Sequence, residues 1–228
     1  MADDLARVGA RWDDDPSAGE WILPLLGEFG PTLGHAVPQA YAAYAVVPLP
    51  RDAEGDLDLD AVPARLDALL EVLDPWTGES PLRGTLWEGW PNLYAPGGGV
   101  ASSGVAVMLA WDPDEPEPSA QELAEARREA EQELLDRLVA RPLADRLRLP
   151  HREYHVWTGT SRTVTGLLDA VELPSHVWPE HRRWFLGLPI YTAEVALGGP
   201  ADLVGAVLAD ARLEARAATP STVLDIDD

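Results

Sequence analysis

The stretch Ser175–Gly199, SHVWPEHRRWFLGLPIYTAEVALGG, decides how the rest of the chain is read. Arg183–Leu188 and Tyr191–Leu197 are aromatic and β-branched runs separated by Pro189 and predict two strands. Gly199-Pro200 then opens a helix, because proline's fixed φ and missing N–H cost little in a first turn. Leu203, Val204, Val207 and Leu208 form its inner face. Only Trp178–Arg183 falls outside this pattern, and it reads as a turn.

Working outward, the same signals recur. Tyr41–Val47 and Gly84–Trp90 read as strands, as does Glu153–Trp157 (EYHVW). Asp60 is placed to cap a helix whose buried face is Val62, Leu66, Leu69, Leu70 and Leu73, ended by Asp74-Pro75. Ser119-Ala-Gln-Glu122 is a capping box that opens the strongest helix, running to about Ala140. Thr160–Ala170 begins a further helix and Leu213–Ala217 an edge strand, while Val105–Trp111 fits strand or helix equally. Strands and helices alternate irregularly. The expected fold is therefore α+β: a single domain over 21–218, with a central, mostly antiparallel sheet and three to four helices. Residues 1–20 read as a polar arm and 219–228 as an acidic tail.

Composition excludes several function classes. The 228 residues include no cysteine, which removes disulfides, thiolate metal sites and a cysteine nucleophile. The start has neither a basic nor an apolar signal region, and no run approaches the ~20 residues of a membrane span. A cytoplasmic protein without membrane contact is expected. The net charge of −22 opposes binding to nucleic acid, which requires a cationic footprint. All 17 cations are arginine. Seven of them stand against five acids between Arg141 and Arg183, a segment that also holds four of the five histidines. An anionic ligand would be favoured there.

No catalytic set, metal site or cofactor motif emerges. His151 and His155, on one strand, would stand roughly 13 Å apart, too far to share a metal. Gly159-Thr-Ser161-Arg-Thr163 lacks the second glycine of a nucleophile elbow. Gly97–Gly99 lacks the lysine of a phosphate loop. Exposed tryptophan beside arginine is enriched at interfaces, so Trp178, Glu180, His181, Arg182 and Arg183 form the candidate contact surface. Arg152, His155 and Arg162 extend it as an anion-binding set.

Five segments carry a family resemblance: GHAVPQAYAAYAVV (Gly34–Val47), GTLWEGW (Gly84–Trp90), RLPHREYHVWTGT (Arg148–Thr160), WPEHRRWFLGLPIYTAEVALGG (Trp178–Gly199) and LVGAVLADARLEA (Leu203–Ala215). In this order they resemble a group of high-GC actinobacterial proteins with no assigned activity. The resemblance implies a bacterial cytosolic protein with one continuous domain, in which the poorly covered residues 94–140 are a candidate insertion, and it carries no activity to transfer. The favoured functional reading is a non-enzymatic protein-interaction module, immunity- or adaptor-like, with an unidentified protein partner. The alternative is an enzyme or binding protein for a small anionic metabolite, built on arginine and histidine.

Overall fold

The computed structural model describes residues 4–94, 118–137 and 139–225. In chain order the strands are β1 (Arg11–Trp12), β2 (Ala43–Pro48), β3 (Leu82–Trp87), β4 (Leu93–Tyr94), β5 (Val139–Ala140), β6 (Leu147–Leu149), β7 (Arg152–Gly159), β8 (His176–Pro179), β9 (Phe185–Gly187), β10 (Glu194–Gly199) and β11 (Arg216–Ala218). The α-helices are α1 (Leu33–Ala36), α2 (Val62–Thr77), α3 (Ala120–Arg137), α4 (Ser161–Ala170) and α5 (Ala201–Ala209). Nine strands form one antiparallel sheet in the order β1-β7-β3-β8-β9-β10-β2-β11, with β6 also paired to β7. β4 and β5 make a separate parallel pair. The α+β expectation holds with the sheet dominant.

The helix count exceeds the expected three to four. Among the described residues there are five α-helices, and 3-10 segments cover Asp4–Val8 and Pro16–Leu25. The reason is that the sheet is covered on both faces. Strand residues alternate between two cores, as a period of two requires. Ala45, Val47, Trp157, Val177, Leu186, Val195 and Leu197 point to α2, α4 and α5. Tyr44, Val46, Tyr154, Val156, Trp178, Phe185 and Ala196 point the other way. There they meet Ile22, Leu33, Ala36 and Val37 from short segments that glycine and proline kept from reading as helix.

Two glycines permit close approach. A Cβ at Gly84 would overlap the Trp157 ring, and one at Gly187 would strike the carbonyl of Ala36. Gly187 thus lets α1 sit directly on β9, which sets the position of His35. The helices mostly form where periodicity and capping place them. Ser119 and Glu122 exchange their reciprocal hydrogen bonds at the start of α3 (2.8 and 3.3 Å). α2 differs in two details. Asp58, not Asp60, accepts the N–H of Ala61 (3.1 Å), and the helix continues past Pro75, which stands in its last turn.

Both ends of the chain are more structured than their polar composition suggests. Leu5 is fully buried, β1 pairs with β7, and buried Asp13 accepts the Thr158 hydroxyl (2.8 Å) and the Arg83 guanidinium (2.5 Å). Thr222 accepts the N–H of Leu33, Leu224 donates to Pro31, and the Leu224 side chain is buried. The polar arm and the acidic tail are thus each anchored to the fold by a few buried side chains, Leu5 and Asp13 in the first and Leu224 in the second. Val105–Trp111 and about half of the candidate insertion lie outside the described residues. No helix among the described residues is long and apolar enough to cross a membrane.

Candidate functional site

The sequence candidates do not converge. Trp178, read as an exposed turn residue, lies in β8 and is fully buried, stacked on Phe185 (5.8 Å between centroids) and edge-on to Trp21. Pro179 closes that strand at its last position, where a missing N–H is tolerated. Glu180 is exposed and pairs with Arg83 (2.8 Å), so it does not orient His181. His181 contacts the Thr77 carbonyl through Nε2 (3.2 Å) and accepts the Arg183 N–H at Nδ1 (3.2 Å), which pins the turn to the end of α2. Arg182 has a left-handed backbone (φ 58°) and covers Trp21 (4.8 Å). Arg183 is exposed. Arg162 stands on α4, across a hollow from Asp67, Glu71 and Asp74 of α2. Arg148 is exposed and paired with Glu153 (3.0 Å). His155 is buried on the helix-covered face beside Trp12, and neither ring nitrogen has a partner among the described residues.

Arg152 is the exception, and a site forms around it. β6 and β7 make a hairpin whose two-residue turn is Pro150-His151, with His151 left-handed (φ 68°). Alternation along β7 sends Arg152, Tyr154 and Val156 to the face opposite His155 and Trp157. Across the sheet, β3 and β8 place Thr85 opposite His176, and these side chains share a hydrogen bond of 2.8 Å. The hairpin, β8, α1 and the segment 188–191 then enclose a cleft. His35, Arg152, Tyr154, Ser175, His176 and Tyr191 supply its polar lining. The hollow including its open mouth is about 400 Å³, but it is narrow, and the room within it for a water-sized group is only about 20 Å³.

The lining has a consistent electrostatic character. No carboxylate borders the cleft, and Arg152 has no acidic partner among the described residues. Its guanidinium lies near the rings of Trp87 (5.3 Å) and Tyr191 (5.7 Å). Burial, reinforced by His35 and Arg152, pushes His176 down to about 3. Burial, then Arg152 and His151, also lowers His35. Burial raises the Tyr154 hydroxyl to about 12 and raises Tyr191 as well. At neutral pH the two imidazoles are therefore uncharged and both phenols keep their protons. The result is one permanent cation surrounded by neutral hydrogen-bonding groups. Two of these have unused capacity: the buried Ser175 Oγ and the buried Nδ1 of His35 have no partner among the described residues.

This arrangement can hold an anion. Thr85 is fully buried, so its bond to His176 braces the cleft floor and presents no nucleophile to a ligand. Among the described residues no three His, Cys, Asp or Glu side chains stand close enough to hold a metal. Sequence reasoning found Arg152 but missed His35, Tyr154, Ser175, His176 and Tyr191. The excess of arginine and histidine over Arg141–Arg183 was the available signal, since four of the six polar lining residues fall within it. Among family models, curated proteins and solved structures, none matches this chain.

Proposed function

We propose that the protein binds a small anionic molecule in the Arg152 cleft. The observation that carries this reading is a half-buried guanidinium with no carboxylate partner among the described residues, in a lining without acids, inside a chain of net charge −22. A charge removed from water without a partner is costly, so a site of this kind gains most from a ligand of opposite sign.

Titration calorimetry with acetate, inorganic phosphate and sulfate tests the reading. At least one should bind, and Arg152→Ala should weaken it by about tenfold or more, the scale of one charge-assisted hydrogen bond. Binding should also strengthen from about pH 8 to about pH 6, because an anion raises the depressed His35 and favours its charged form. The titratable and charged groups lining the cleft are His35, His176, Arg152, Tyr154 and Tyr191, with His151 on the adjoining hairpin turn. Absence of binding by all three anions, or equal binding by the variant, overturns the proposal.

A protein-interaction role rests on a different place, the exposed turn His181–Arg183. The left-handed Arg182 supports it, since non-glycine residues held at positive φ cluster at functional sites. An Arg182→Ala/Arg183→Ala double variant separates the readings. It should disturb partner capture and leave anion affinity intact.

A further inference from the structure

We infer that the ligand of the Arg152 cleft is an aromatic carboxylate, its acid group inside and its ring held at the mouth by Phe29 and His151. This rests on the anion-binding reading above and adds the ligand's class. The first argument is size. The cleft leaves about 20 Å³ for a water-sized group, where about 10–15 Å³ suffices for one. A carboxylate oxygen pair suits that floor, whereas the body of any ligand must remain in the mouth. A planar carboxylate also matches the fork of Arg152, with Ser175 Oγ and His35 Nδ1 as unpaired groups beside it.

The second argument is the chemistry of the mouth. Phe29 is an exposed large hydrophobic side chain (49%). Its ring lies 4.6 Å from His35 and 4.5 Å from His151 between centroids. Tyr191 stacks on His35 at 6.4 Å and donates to the Gly30 carbonyl (3.4 Å), so the loop carrying Phe29 is tied to the cleft wall. The rings of Phe29 and His151 stand beside the cleft wall at His35, and ring–ring contact there would add to the burial of a flat ligand. An aliphatic acid of the same charge would leave this surface uncovered.

The test compares benzoate, acetate and phenyl phosphate by titration calorimetry on the full chain. Benzoate should bind at least about tenfold tighter than acetate, and Phe29→Ala should reduce that ratio below about threefold. Phe29 is half exposed, so its truncation does not threaten the fold, and an unchanged melting temperature verifies this. Equal affinity for benzoate and acetate, or a ratio that survives Phe29→Ala, overturns the aromatic assignment while leaving anion binding in place. Tighter binding of phenyl phosphate than of benzoate overturns the carboxylate assignment. Failure of all three to bind overturns this inference, and the anion reading falls with it only when inorganic phosphate and sulfate also fail to bind.

Discussion

Arg152 and His155 stand three residues apart on β7, and the pleat sends them to opposite faces of the sheet. On the face that packs on α2, α4 and α5, His155 is buried beside Trp12 with both nitrogens unpaired among the described residues, and burial lowers its pKa more than Arg146 and Arg141 do. On the other face, His176 is equally buried but braced by Thr85 and adjoins an open cleft. Burial depresses both imidazoles, to about 4 and about 3. A perturbed histidine therefore does not by itself mark a site. What distinguishes the two is access and company: one ring borders Arg152 and unpaired donors at a solvent opening, the other is closed in.

The largest expected effect tests whether the two faces are equal structural partners. Trp157→Ala on one face and Trp178→Ala on the other should each cost about 3–5 kcal/mol in urea unfolding, the usual range for a buried tryptophan. A much smaller loss for Trp178 would mean that the cleft face is only loosely packed. The milder Trp178→Phe should weaken acetate binding, because Trp178 backs Phe185 and thereby the His176 ring. Trp157→Phe should not.

Acid stability gives the next effect. His155 and His176 have folded pKa values below the ordinary 6.5, so the unfolded chain takes up protons first as pH falls. Their contribution is complete above about pH 6.5 and is lost progressively toward pH 3–4. At pH 5 each should have cost roughly 2 kcal/mol relative to neutral pH. His155→Leu should remove about half of this loss between pH 7 and pH 5 in urea unfolding, with anion binding preserved. An unchanged slope would mean that His155 is not held neutral. The smallest effect concerns the turn. Glu180→Ala breaks an exposed pair with Arg83 and should leave the urea midpoint nearly unchanged.

These contrasts also explain what the sequence made legible. EYHVW, the capping box at Ser119 and the Gly-Pro entry to α5 are local signals, and local geometry honours them. Trp178 was misread because Trp-Pro resembles a turn until the following residues show that Pro179 merely ends a strand. The terminal stretches were misread because a few buried residues, Leu5 and Leu224 among them, anchor otherwise polar segments. The cleft was hidden for a deeper reason. His35, Arg152, His176 and Tyr191 come from four separate elements or loops, and only the pairing register and the close approach at Gly187 bring them together. The charge bias over Arg141–Arg183 located half of that site but had no means of finding α1.

The position of β2 also has a temporal consequence. Its two neighbours are β10 and β11, so a strand made near residue 45 cannot pair until residues 194–218 have been synthesised. Loop closure over that separation precedes any reward from the ladder, a condition associated with slow folding among β-rich proteins. In the interval both edges of Ala43–Pro48, with the Val46-Val47 pair, remain open to other chains. The growing polypeptide is therefore most exposed to aggregation just before its final strands arrive.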